Sequence, residues 1–418
     1  MAGGAATTTQ FTSTGAESGN GRKYLFPFIL VTSLFFMWGL SYGLLDVLNK
    51  HFQNTLSIDK ARSTLLQAAY FGAYFLMALP AGLLMKRYGY KFGIIFGLLL
   101  FAAGAGLFYP SAHYANFNAF LFSLFVLASG LTFLETAANP YVTILGEPST
   151  SEQRLNLSQC FNGLGSFLGP YIGMALFFHG NEGDKGGDLE SVQLVYIVMA
   201  VVVLLIALLF YRTNLPEIKE ATDAVANGQP AQKSSLFQRK HFVWAVVAQF
   251  FYVAAQVGVG ALFMNYVVEY WGTGSSDKLA SGLLGLALGL FAVGRFVGTA
   301  IMRKVAPNKL LAVYALICAV LSCVVMAGAG VASVVALIAI FFFMSIMFPT
   351  IFALGVKDLG ARTKEGSSFI IMSIVGGAVM PYVMGSIADS ASTAIAFIVP
   401  LICFVVVLFY GWKGYKVR

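Results

Sequence analysis

Twelve apolar stretches alternate with short polar connections along this chain, at residues 25–49, 65–85, 92–110, 117–146, 155–179, 191–211, 241–270, 279–302, 309–330, 332–356, 366–388 and 393–412. A helix that crosses a bilayer needs about 20 mostly apolar residues, and each stretch approaches or exceeds that length. In hydrocarbon the backbone polar groups must be satisfied within the segment, so stretches of this kind fold as helices. The expected fold is an all-α membrane protein with twelve transmembrane helices. Of the 418 residues, 58% are hydrophobic and only 11% are charged, whereas soluble domains carry roughly 25% charged residues. The formal charge of +8 does not point to nucleic acid, because the basic residues sit in short loops and not in one patch.

Those basic residues set the orientation. With the N-terminus inside, the inside loops hold 20 Lys and Arg, the outside loops hold 5, and Arg295 is left within a span. Positive loops stay cytoplasmic, so both termini are expected there. Residues 1–24, rich in Ala, Gly, Thr and Ser, read as a disordered cytoplasmic terminus. The first span is longer than a signal-peptide core of about 7–15 residues, so it reads as a retained helix. Cys160, Cys318, Cys323 and Cys403 all lie in apolar runs and read as small buried hydrophobes without a disulfide framework. The histidines are scattered, which leaves no metal site and no cofactor.

A polar stretch at 213–238 divides the chain into six-helix bundles at 25–212 and 239–418. The halves repeat. Pro140 in the fourth span matches Pro349 in the tenth, and Gly165-x4-Pro170-Tyr171 in the fifth matches Gly376-x4-Pro381-Tyr382 in the eleventh. A proline costs a helix interior about 3 kcal/mol, so matched prolines at offsets of about 210 mark a structural repeat.

Three charges lie well inside the spans: Asp46, Glu135 and Arg295. Intramembrane ionisable groups are functional candidates by default. Glu135 reads as a proton carrier, the alternative being a structural acid paired with Arg295 or hydrogen-bonded to a neighbouring helix. Asn139 follows it at i+4 on the same face, and Pro140 removes a backbone bond there and exposes a carbonyl. Asp46 completes a stripe with Trp38 and Tyr42 at four-residue spacing. Its alternative is an interfacial acid paired with Lys50. Aromatic rings beside a carboxylate suit a sugar, whose apolar face stacks on rings and whose hydroxyls bond to acids. Arg295 reads either as a charge relay or as a residue snorkelling to the interface near Arg303. Gln159 and Asn162 share a face of the fifth span. Gln249, Tyr252 and Gln256 share a face of the seventh, with Asn265 off that face unless the helix breaks near Gly258 or Gly260. Together these residues describe an amide-lined cavity for a neutral polyhydroxyl ligand. The G-x-S-x-G match at Gly39–Gly43 lies inside a membrane helix and reads as chance. The sequon at Asn156 opens a helix on the cytoplasmic side.

The 6+6 organisation resembles the major facilitator superfamily. So does the loop Gly82-Leu-Leu-Met-Lys86-Arg87-Tyr88-Gly89-Tyr90-Lys91, with Lys86 where the signature has Asp and Tyr90 where it has Arg. "LETAANPYV" and "RLNLSQCFNGLG", with "FFMWG", "FGAYFLMALPAG" and "FMSIMFPTIFALG", resemble the L-fucose–proton symporter family, which includes glucose/galactose and N-acetylglucosamine permeases. The resemblance implies import of a monosaccharide coupled to protons by alternating access. It implies coupling roles for Asp46 and Glu135, and sugar contacts from Trp38, Gln159, Asn162, Gln249, Tyr252 and Gln256. It further implies a bacterial inner-membrane location. The chain is expected to act as a monomer, with the sugar, protons and lipid bilayer as its partners. Tyr42-Gly43 stands where relatives carry an Asn pair, so the sugar is left open. The competing readings are a proton-coupled exporter, favoured by "GSFLGPYIG" (165–173), and an uncoupled sugar facilitator. No enzyme reading arises.

Overall fold

Gly89 adopts φ 85, ψ 173, a non-helical break between two helices that together run over Leu65–His113. That left-handed region suits glycine alone among common residues, and it folds the run into the second and third spans. The computed structural model describes residues 21–56, 65–177, 189–213, 215, 236–273 and 275–417. Among these, twelve spans are present. The first is Gly21–Thr55, the fourth Phe117–Ile144, the fifth Ser151–Phe177 and the sixth Leu189–Arg212. The seventh is Lys240–Tyr270, the eighth Asp277–Ile301 and the ninth Pro307–Met326. The tenth comprises Val331–Met344 and Met347–Val356, the eleventh Thr363–Met372 and Gly376–Ser390, and the twelfth Thr393–Ala396 and Ile398–Phe409. The first helix starts at Gly21, ahead of the expected 25. The expected disordered residues 1–20 and nearly all of the expected linker fall outside the described residues.

Glycines let the spans approach. A β-carbon on Gly165 would strike the Phe36 carbonyl, and one on Gly39 would strike the Asn162 carbonyl. The first and fifth spans therefore touch backbone to backbone, as small residues allow in membranes. The other half repeats the contact, where a β-carbon on Gly376 would strike the Phe250 carbonyl. This packing accounts for Gly39, read from sequence as part of a chance motif, and for Gly165 and Gly169 in the exporter-like stretch.

The matched prolines also repeat a device. Pro140 cannot donate to the carbonyl of Thr136, nor Pro349 to that of Ser345. Ser367 Oγ donates to Thr136 O at 3.0 Å, and Arg295 Nε donates to Ser345 O at 3.2 Å. The carbonyl expected to face a cavity at Pro140 is instead held by the opposite half.

Three cysteines are buried, but Cys323 is exposed on the ninth span, whose outer face meets lipid rather than protein. All four thiols are free.

Candidate functional site

The fourth span is buried almost all round through its C-terminal half, which is why an acid there must face protein. Glu135 is 1% exposed, and neither of its oxygens has a hydrogen-bond partner among the described residues. Tyr74 and Asn139 face it, and Arg295 acts on it from further away. No Glu135–Arg295 ion pair forms among the described residues, so the paired structural acid is absent in this conformation. A buried unpaired carboxylate is costly, and the cost falls when the group carries a proton.

A chain of side chains leads away from this carboxyl. Asn139 Oδ1 accepts from Gln159 Nε2 at 3.3 Å, while Asn139 Nδ2 has no partner among the described residues. Gln159 Oε1 accepts from an Arg295 guanidinium nitrogen at 3.3 Å, and Asn162 Oδ1 accepts from the same nitrogen at 3.0 Å. That nitrogen also donates to the Gln159 carbonyl. Arg295 is 4% exposed and lies over the Phe291 ring at 4.7 Å. It therefore turns inward to the opposite half and does not snorkel. A guanidinium presents a fixed fork of donors, which suits it to hold several acceptors at once.

Aromatic groups close the other side of the carboxyl. The Tyr70 and Tyr74 hydroxyls lie 3.4 Å apart, and the Tyr42 and Tyr70 rings are 6.0 Å between centroids. Trp38 and Tyr42 are half-buried and bear on Tyr70 from the first span. Asp46 follows Tyr42 by one helical turn, but its side chain lies outside the described residues.

Tyr252 donates to the Met344 carbonyl at 3.0 Å, which binds the seventh span to the tenth. Gln249 is fully buried with both amide atoms unpartnered among the described residues, and Gln256 is half-buried. The seventh helix runs unbroken through Gly258 and Gly260. Asn265 consequently stays off the polar face and is exposed, against its expected place among the ligand-lining residues. Tyr70 and Tyr74 were missed, although two hydroxyls at i, i+4 in an apolar run are the same kind of signal as Trp38 and Tyr42.

The halves are fastened at the end that carries the basic loops. Lys357 pairs with Glu152, Asn156 Nδ2 donates to Thr350 Oγ1 at 3.2 Å, and Lys364 lies over the Tyr90 ring at 4.7 Å. Asn156 is buried, which removes it as a glycosylation acceptor in this conformation. Toward the opposite end Tyr382 is 80% exposed.

A sequence profile of the Major Facilitator Superfamily matches residues 28–374. The L-fucose–proton symporter of Escherichia coli is 38% identical over 423 residues, which cover 97% of this chain and 96% of that protein. The glucose/galactose transporter of Brucella abortus is 38% identical over 401 residues, 96% of this chain and 97% of that one. A crystal structure of FucP in the outward conformation superposes with a TM-score of 0.82 at 37% identity, covering 94% of this chain and 99% of that one. The chain is a membrane transporter and belongs to the Major Facilitator Superfamily.

Proposed function

We propose that this chain imports a monosaccharide together with protons, by alternating exposure of a central site between its two six-helix halves. The observation that carries this reading is Glu135, a carboxyl 1% exposed and without a hydrogen-bond partner among the described residues, beside amides and tyrosines. An unpaired acid in that position is most stable when it holds a proton. It must lose that proton when the site opens to water at lower proton activity, which is the requirement for a coupling group. Asp46 is the second coupling group. Gln159, Asn162, Asn139, Trp38 and Tyr42 form the sugar site from one half, with Gln249, Tyr252 and Gln256 from the other. The similarity to an L-fucose–proton symporter and to glucose/galactose transporters supports a hexose substrate.

Bundles at 25–212 and 239–418 joined by a linker at 213–238, a bacterial inner-membrane location, cytoplasmic termini and a monomeric unit belong to the same proposal. In that orientation the fastened end is the cytoplasmic one, and the sugar enters from outside. No cofactor is required, since the proton itself drives the cycle.

The test is external pH in energy-depleted cells expressing the chain, with L-fucose, D-galactose, D-glucose or N-acetylglucosamine added in turn. Alkalinisation with one sugar, lost in Glu135→Gln, supports symport and names the substrate. Entry of labelled sugar without alkalinisation turns the reading to a facilitator. Neither response turns it to an exporter.

A further inference from the structure

We propose that Tyr74 and Tyr70 form a hydroxyl relay that carries the coupling proton between Glu135 and the half-buried Tyr42 of the first span. The proposal rests on the symport reading above. Its basis is placement. Both tyrosines are buried, Tyr74 at 2% and Tyr70 at 3% exposure, and their hydroxyls meet at 3.4 Å with either oxygen able to donate. Tyr74 and Asn139 face the Glu135 carboxyl, neither of whose oxygens has a hydrogen-bond partner among the described residues in this conformation. Tyr70 faces Trp38 and Tyr42 of the first span, one helical turn from Asp46. Glu135 itself is shut from solvent at 1% exposure in this conformation, so a proton reaching or leaving it here needs an internal path.

A hydroxyl both donates and accepts. When Glu135 releases its proton to the Tyr74 oxygen, Tyr74 passes its own hydroxyl proton to the Tyr70 oxygen. Tyr70 then passes its proton to water that reaches Tyr42 when the halves open. Each tyrosine ends neutral, the carboxyl ends negative and the water gains the proton. Rotation of the two hydroxyls resets the pair, and the reverse sequence loads Glu135.

Phenylalanine keeps each ring and removes only the relay oxygen, which makes Tyr74→Phe and Tyr70→Phe the appropriate variants. Each is reconstituted as the full chain in proteoliposomes with the sugar that alkalinises the medium for the wild type. Two rates are compared: labelled-sugar counterflow at equal pH, and sugar-driven proton entry across a pH series. The relay predicts counterflow within about twofold of wild type and proton entry slowed by at least about tenfold, the lower end of what a positioned proton-transfer group contributes. It also predicts a changed pH profile for proton entry. Wild-type proton entry in both variants overturns the relay. Equal loss of counterflow and proton entry also overturns it, because the hydroxyls then serve sugar binding or packing. If the wild type itself gives no alkalinisation with any sugar, the symport reading fails first, and that outcome is distinct from either result on the variants.

Discussion

The Lys357 ammonium lies 3.2 Å from a Glu152 carboxylate oxygen, tying the end of the tenth span to the start of the fifth across the two halves. The turn that aims Lys357 is itself held. Arg239 donates to the Asp358 carbonyl, and His241 Nε2 lies 3.0 Å from the Lys357 carbonyl. Asp358 sits at φ 57, a left-handed conformation that is uncommon outside glycine but that Asp tolerates better than most residues. The superfamily's signature loop places an acid at the position of Lys86. Here the acid at the fastened end comes from Glu152 instead.

Lys357→Met should loosen that end. Glu152 is 4% exposed at its side chain and Lys357 is 45% exposed, so solvent screens part of the interaction. Losing the partner of a mostly buried acid costs about 1–3 kcal/mol. The halves would then separate more readily there, and buried Cys160, which contacts Thr299 across the same interface at 3.7 Å, would be exposed more often. In a Cys323→Ser background, the labelling rate of Cys160 by a small thiol reagent should rise about fivefold or more. The double exchange Glu152→Lys with Lys357→Glu should bring it back. An unchanged rate in Lys357→Met would show that the pair does not hold the halves.

Glu135→Gln removes the ionisable group but keeps shape and hydrogen-bonding capacity. It should abolish sugar-driven proton entry while sparing sugar counterflow, since exchange needs no net proton release. The amide should also raise thermal stability slightly, because no charge is ever buried there. A variant that still moves protons with sugar would take Glu135 out of the coupling step.

Arg295→Lys is not a conservative change at this position. The guanidinium donates to Ser345 O, to Gln159 and to Asn162 Oδ1 from two separate nitrogens. An ammonium is a point charge and cannot span them in the same plane. Charged hydrogen bonds contribute about 1.5–3 kcal/mol each. Sugar affinity, measured by the concentration dependence of counterflow, should weaken by about tenfold or more, with a lower melting temperature in detergent. Unchanged affinity would mean that Gln159 and Asn162 are positioned by their own helix.

The fold was legible because each span carries its own signal, an apolar run bounded by basic loops, and because Pro140 and Pro349 mark the repeat. Glu135 was legible for the same reason in reverse: a charge in an oily run has to be explained. What could not be read was partnership. Asn265 has the right chemistry but points away, since the seventh helix never breaks. Arg295 has the composition of a snorkelling residue, and only the approach of the fifth span shows that it turns inward. Glu152 gave no sequence signal, because its role depends on a lysine 205 positions away that no local spacing connects to it. Side-chain chemistry is local in sequence, whereas the surface between the halves is made from distant residues.

Gly39→Ala tests whether backbone contact between the first and fifth spans is required. The added methyl group would occupy the position of the Asn162 carbonyl, and backbone cannot move aside as a flexible side-chain end can. Overpacking of this kind costs about 1–3 kcal/mol. It also pushes apart two spans that carry Trp38 on one side and Asn162 on the other. Gly260→Ala is the matched control, because a β-carbon there meets nothing within 4 Å. Alanine at that position should be neutral or stabilising, by up to about 1 kcal/mol of helix propensity. Thermal unfolding in detergent should therefore separate the two variants, with Gly39→Ala lowered and losing sugar affinity while Gly260→Ala stays at or above wild type. Equal melting temperatures and equal counterflow would show that the first and fifth spans have room to spare, and that the sugar site does not depend on their close approach.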